Sequence, residues 1–386
     1  MSTLFPPIWL IIFIIGLPQL SESVYSPSLP EIALFLKTHE SFVEMTLSIY
    51  LIGFAIGSLF FGIISDKYGR KPSILGGIFI FLMGSILCSL ATSIDMLLIS
   101  RFIQAFGGSI GSVLGQAICR DAFKGKDLAK IYSTVGSCLP LFPALGPIVG
   151  TVILTFSKWQ GIFYFLIIMA LILTVLVVYY LPETLHEKKE IEILTTLKKM
   201  IKNQTILKYG LFIGLANGIS FSYYAESPFF FKEILKMDDV LFGISFLGIS
   251  TFVMAGAMYN KKLIDHISQD DLIKKASNYI MVIAILLAIL PFFAISDSFF
   301  IVICLGLLCG IFFFIPMITG NALSSALKDF KDSIGTASSI FGFYYYIIVS
   351  LTTGGMAILH NGTLFAMPFY FLVIALLMFY ISRGKR

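Results

Sequence analysis

Apolar runs of about 20 residues, the length of a membrane-crossing helix, succeed one another along the chain and are separated by short polar turns. The sharpest turn, Gly62-Ile-Ile-Ser-Asp66-Lys67-Tyr-Gly69-Arg70-Lys71, sets Asp66, Lys67, Arg70 and Lys71 between two runs that carry almost no charge. Backbone groups in lipid find no water to bond, so such a chain crosses the bilayer as helices or as a closed barrel. Barrel strands alternate over roughly ten residues, whereas these runs are continuous and longer. An all-α membrane protein is therefore expected. With 58% hydrophobic and 13% charged residues among 386, a soluble domain is excluded. No nucleophile elbow, phosphate-cradling glycine loop or zinc-ligand spacing occurs, so the chain is not expected to be an enzyme, to carry a cofactor or metal, or to bind nucleic acid.

The apolar pattern predicts twelve spans, at 8–29, 42–65, 73–94, 96–119, 131–156, 161–182, 209–231, 240–260, 277–296, 298–325, 333–358 and 362–382. An even number places both termini on one side. Of the 27 lysines and arginines, only Lys37, Lys158, Lys232 and Lys236 fall on the opposite side, and Arg101 lies within a span. That asymmetry puts both termini in the cytoplasm, in a multi-pass protein of the inner membrane. The longest connection, 183–208, divides the chain into halves 1–182 and 209–386. Its Ile191, Leu194, Leu197 and Ile201 recur at helical spacing beside lysines, which fits either an amphipathic surface helix or a solvated tether. The five cysteines fall in or at the ends of spans and read as packing residues.

The halves resemble one another. Tyr25-Ser26-Pro27 of span one is matched by Glu226-Ser227-Pro228 of span seven, and Gly115-Gln116-Ala117 of span four by Gly320-Asn321-Ala322 of span ten. Repeated bundles of this kind often enclose a site between them. In span four, Arg101, Gln104, Ala105, Gly108 and Ser112 share one helical face. An arginine inside a span is costly unless paired or wetted, which makes Arg101 a functional candidate. Glu22 and Glu226 are the carboxylates set deepest in apolar sequence, and are candidate proton carriers; Glu22 is expected at a depth that permits pairing with Arg101. Glu44 is expected at the interface. Tyr25, Tyr223, Tyr224, Phe314, Tyr344 and Tyr345, with Gln104, are candidates for the lining of an apolar cavity.

These residues carry a resemblance to the major facilitator superfamily of twelve-helix transporters, which implies two six-helix bundles. The stretch Gly62-x-x-x-Asp66-Lys67-x-Gly69-Arg70-Lys71 is similar to that superfamily's signature loop. The resemblance implies a charge cluster of Asp66 and Arg70 with Asp121, latching the cytoplasmic face. Arg101-x-x-Gln104 resembles the helix-four motif of its proton-coupled antiporters, and Pro143-x-x-Gly146-Pro147-x-x-Gly150 resembles their helix-five motif. Tyr25 to Ile32, Ser227 to Phe231 and Asn321 to Ser339 resemble the bicyclomycin and chloramphenicol resistance (Bcr/CflA) branch. In that branch an aspartate usually stands two positions before the span-one tyrosine; here Ser23 stands there, and the acid is one place earlier at Glu22. The implied function is proton-coupled efflux of small amphipathic drugs by alternating access, with a small molecule, protons and the bilayer as partners of a monomer. The alternative is a metabolite or siderophore carrier of the same fold, an uptake symporter included.

Overall fold

The computed structural model describes residues 5–139, 141–185, 193–328, 330 and 334–384. The first half comprises α1 (Ile8–Tyr25), α2 (Leu29–Leu36), α3 (Glu40–Tyr68), α4 (Arg70–Ser89), α5 (Ile94–Ala122), α6 (Gly125–Cys138), α7 (Leu141–Phe156) and α8 (Gln160–Tyr180). After α9 (Ile193–Lys202) follow α10 (Gln204–Ser227), α11 (Asp239–Leu263), α12 (Gln269–Ile289), α13 (Asp297–Ala326), α14 (Ile334–Leu359) and α15 (Ala366–Arg383). α1 runs through a 3₁₀ turn, Ser26–Ser28, into α2 as one crossing, and α6 and α7 form another. With α9 set aside, twelve crossings stand at the expected places.

Ten of these crossings are long and apolar enough to span a membrane by length and composition alone. The other two depart for visible reasons. In the α6–α7 crossing the described helices, α6 (14 residues) and α7 (16 residues), are each too short to qualify alone. α10 carries Asn217, Ser220, Ser222, Glu226 and Ser227, and the last three are wholly buried against neighbouring helices rather than offered to lipid.

Apolar packing separates into two clusters. One gathers side chains from Leu10 to Leu181 and takes in Ala225 of α10 and Phe229 just beyond it. The other runs from Met200 to Met378. Between them Tyr50, Phe54 and Ala105 form a small third cluster, against which Tyr346 of α14 packs. The exposed residues are large and apolar, Phe156, Tyr179, Tyr380 and Ile358 among them, as a lipid-facing surface requires. Helices of the first half cross at backbone contact: a Cβ on Gly53 would strike the Phe102 carbonyl, and one on Gly107 would strike the Phe81 nitrogen and the Gly77 carbonyl.

The first crossing of each half shares an irregular far end. Ser26-Pro27 opens the 3₁₀ turn, and Ser227-Pro228 leads into a π-helical turn, Pro228–Ile234. Each path then ends near a lysine in the left-handed region, Lys37 and Lys236, both at φ 51°. That conformation is uncommon for a residue with a Cβ, so its recurrence at matched places marks an internal repeat.

The connection helix departs from expectation. Ile191 and the side chain of Leu194 lie outside the described residues. Within α9, Thr196 and Met200 are the buried pair, Leu197 packs on the second core, and Ile201 is 60% exposed. Thr196 and Met200 are four apart and so share the inward face; Ile201 falls one step beyond it.

Candidate functional site

Three polar assemblies stand out, one central and one at each end of the bundle. At the centre, Arg101 of α5 is fully buried, with its guanidinium between the rings of Tyr25 (4.2 Å) and Tyr50 (4.1 Å). Its Nη1 donates to Oε1 of Gln104, whose Nε2 donates to Ser85 Oγ at 2.8 Å. Each buried cation–π contact is worth about 2 kcal/mol, well short of the cost of taking a charge out of water. Nε and Nη2 have no hydrogen-bond partner among the described residues. Arg101 therefore does not snorkel to the headgroups; it is held in place with donors to spare.

Glu22 of α1 is 6% exposed and lies close enough to Arg101, Tyr50, Tyr224 and Tyr346 to interact with each electrostatically. α1 and α5 are neighbours as the pairing idea required, but no ion pair joins Glu22 to Arg101 among the described residues. Ser23, one position on, turns instead toward α7, where a Cβ on Gly146 would meet its side chain. Position 23 thus belongs to a tight helix contact, and position 22 is the one that addresses the centre. Gly146 and Gly150 are the places where α7 lies against the Ser23–Val24 backbone, so the Pro143-Gly146-Pro147-Gly150 motif seats the helix that carries Glu22.

At the end nearest the termini, Arg70 donates through Nε to Asp121 Oδ2 (2.8 Å) and through Nη1 to Asp66 Oδ1 (2.5 Å) and Ser65 Oγ (2.8 Å). Gly69, at φ 110°, makes the turn that brings Arg70 there. Glu183, the first acid after α8, accepts from the Arg70 and Lys71 backbone nitrogens and so caps the N-terminus of α4. Ser65, Asp66, Arg70 and Asp121 belong to the first half, and Glu183 opens the connection that follows it. Gly62 is where this turn approaches the second half: a Cβ there would meet Ser339 Oγ of α14. Removing one acid from a nearly buried arginine costs about 2 kcal/mol. Asp121→Asn is expected to slow substrate translocation severalfold in reconstituted vesicles while leaving substrate affinity nearly unchanged; a large affinity loss in a folded variant would place this cluster at the ligand instead.

At the opposite, far end, helices of the two halves are tied together. Ser26 Oγ donates to the Tyr224 carbonyl, Ser48 and Ser350 bond reciprocally, and Lys232 Nζ reaches the Pro27 carbonyl. Beside these ties His360, the first residue after α14, places Nδ1 2.8 Å from Glu226 Oε2 and 2.9 Å from Glu44 Oε1, and Nε2 2.7 Å from Glu40 Oε2. Glu226 is thus assigned to this far cluster and not to the centre. Glu44 is wholly buried rather than lying at an interface with water. Burial disfavours a charged imidazole, but the hydrogen bond to Glu226 and the close negative charge of Glu226 and Glu44 outweigh it and carry the His360 pKa up to about 11. Donor atoms of Glu44, Glu226 and His360 lie within 4.8 Å of one another. That spacing suits either a shared proton or a metal ion, and the two are told apart by experiment.

The aromatic candidates divide. Tyr25 lies under Arg101 with its hydroxyl on Thr46 (2.9 Å), and Tyr224 stacks on Phe246 beside the centre. Tyr223 is instead enclosed in the second core by Phe231, Phe246 and Phe312. Phe314 stacks on Tyr279 of α12, on the outer side of the bundle. Tyr344 packs on α10, with its hydroxyl on the Leu207 carbonyl, and Tyr345 packs between Phe341 and Tyr346. These four are packing positions. Tyr50, Tyr346, Glu183, Glu40 and His360 were not singled out from the sequence. A histidine adjoining an apolar span was the one signal available for the far cluster.

Comparison with protein families matches residues 9–353 to the Major Facilitator Superfamily. An uncharacterized transporter of Rickettsia bellii is 31% identical over 385 residues, covering 96% of this chain and 94% of that one. A bicyclomycin resistance protein homolog of Haemophilus influenzae is 28% identical over 383 residues, with 96% and 94% covered. Among solved structures, a D-xylose-proton symporter aligns with a TM-score of 0.78 over 98% of each chain at 14% identity, a likeness of fold.

Proposed function

The chain belongs to the major facilitator superfamily of membrane transporters, and from that premise we propose that it is a proton-coupled exporter of small amphipathic compounds. The observation that carries this reading is the placement of Glu22 within the electrostatic field of an aromatic-clamped Arg101 at the centre. A carboxylate within the field of a fixed cation can exchange a proton for a ligand without leaving a buried charge uncompensated. Arg101 is the fixed charge and Glu22 the titrating one. Tyr25, Tyr50, Tyr224 and Tyr346 supply faces for apolar cargo. The drug-resistance name of the Haemophilus relative supports export of toxic compounds.

In this reading the halves 1–182 and 209–386 rock about the central site, the connection 183–208 joins them on the cytoplasmic side, and the monomer sits in the inner membrane with both termini inside. Asp66, Arg70 and Asp121 then fix the cytoplasmic ends of α3, α4 and α5 as one unit, with Gly62 as the contact point across the halves. Everted vesicles provide the test. An imposed proton gradient, acid inside, is expected to drive accumulation of a lipophilic cationic dye, and addition of cargo is expected to dissipate a preformed gradient. A gradient left undisturbed across a broad panel of amphipathic compounds overturns the exporter reading.

A further inference from the structure

The far cluster contains a donor deficit. An imidazolium at His360 offers two N–H groups, one bonded to Glu40 and one to Glu226. Glu44 Oε1, although 2.9 Å from Nδ1 as an ion pair, lacks hydrogen-bond alignment. Both Glu44 oxygens and Glu226 Oε1 are left fully buried without a donor among the described residues. The two carboxyl groups lie within hydrogen-bonding reach of one another, and two such groups do not both ionise in a dry site. The remaining charged or titratable groups nearby do not fill the gap. His39 faces the His360 ring at 6.3 Å, Lys232 is engaged by Asp239 (2.8 Å) and the Pro27 carbonyl, and Glu31 of α2 accepts from the Trp159 nitrogen. One additional proton, shared between the Glu44 and Glu226 carboxyl groups, turns one of them into a donor for the other and removes most of the deficit.

We propose that Glu44, Glu226 and His360 form a second proton-binding site, separate from Glu22, whose proton closes the far face of the transporter. The members belong to different halves: Glu40 and Glu44 sit on α3, Glu226 on α10, and His360 follows α14. Opening the far face separates them along that line. Glu226 and His360 leave together as a neutral pair, and Glu44 is exposed to water and releases its proton to the far side. Closing reverses this and takes the proton up. The closed form therefore holds one more proton than the open form, and raising the pH favours opening, by tenfold in the equilibrium per pH unit within the titration range. The proposal deepens the exporter reading, and rests on it for the physiological direction: acid outside shuts the far face once the cargo has left.

The test uses the full-length protein in nanodiscs, with its five cysteines replaced by serine and spin labels introduced at Lys158→Cys and Ala294→Cys, exposed far-face positions of the two halves. The separated population is expected to rise about tenfold per pH unit on alkalinisation. Glu44→Gln mimics the protonated carboxyl and is expected to hold the short distance at every pH, whereas Glu44→Asp, in which the acid is retained, restores the titration. Infrared difference spectra are expected to lose a carboxylic-acid band in Glu44→Gln and to keep it in Glu22→Gln. A pH-independent distance in the parent protein, a titration that survives Glu44→Gln, or stoichiometric Zn²⁺ binding that removes the acid band at neutral pH overturns the proposal. Glu22→Gln should leave the far-face titration intact. Loss of gradient-driven transport with that titration preserved refutes the exporter reading alone.

Discussion

Glu22→Gln is expected to erase gradient-driven accumulation. One proton moved across one pH unit supplies about 1.4 kcal/mol, enough for roughly tenfold accumulation of cargo, and the variant should fall to the level of vesicles without a gradient. The amide keeps the size and most of the hydrogen bonding of the acid, so folding and cargo binding are expected to persist; Glu22→Asp should retain part of the coupling. The expectation rests on placement. Glu22 alone among the acids of α1 addresses Arg101 and the tyrosines around it, while Glu226 is committed to His360 at the far end. Coupled accumulation by Glu22→Gln at parental rates would remove Glu22 from the proton path.

Gly107→Val is expected to be strongly destabilising. Helix propensity alone favours valine over glycine by several tenths of a kcal/mol, so an exposed helix would gain. At Gly107, however, the new Cβ meets the Phe81 nitrogen and the Gly77 carbonyl, which are main-chain atoms of α4 that cannot rotate aside. Overpacking of this kind costs about 1–3 kcal/mol, and the γ-methyls press further into the same contact. A marked loss of thermal midpoint in detergent is expected. Gly76→Val is the control, because a Cβ at Gly76 meets nothing within 4 Å, and its midpoint should change little. Equal behaviour of the two variants would mean that α4 and α5 separate more freely than their crossing implies.

The twelve crossings were legible because lipid exposure demands long apolar runs, and α10 was found despite its polar residues because Tyr209 to Phe231 still keeps enough of them. The acid–arginine turn was legible too, since Asp66 and Arg70 stand four residues apart across a glycine turn and Asp121 lies at the end of α5. Chain direction hid the rest. Glu40 and His360 are 320 residues apart, and their meeting depends on how two halves dock, which no local period records. The cavity tyrosines divide for a related reason: Tyr223 and Tyr224 are adjacent in sequence, yet one is enclosed by the second core and the other flanks the centre. A helix separates neighbours by about 100°, and which direction is inward is set by the partner helix. Ile201 was misplaced by the same single step.

The proline-bearing turns after Tyr25 and Glu226 have a consequence for how the molecule moves. A 3₁₀ turn at Ser26–Ser28 and a π turn at Pro228–Ile234 interrupt the regular backbone ladder at the level of the far cluster. Leu29–Leu36, beyond the first turn, and the second turn itself with the stretch to Lys236 act as short levers on compliant joints, while α1 and α10 below stay rigid with Glu22 and Tyr224 in register. The far entrance can therefore splay by bending two tips, at a smaller sweep through the surrounding lipid than tilting whole bundles requires. Stiffening one joint, by Pro228→Ala, would load the full motion onto the other and make the two entrances open at unequal rates.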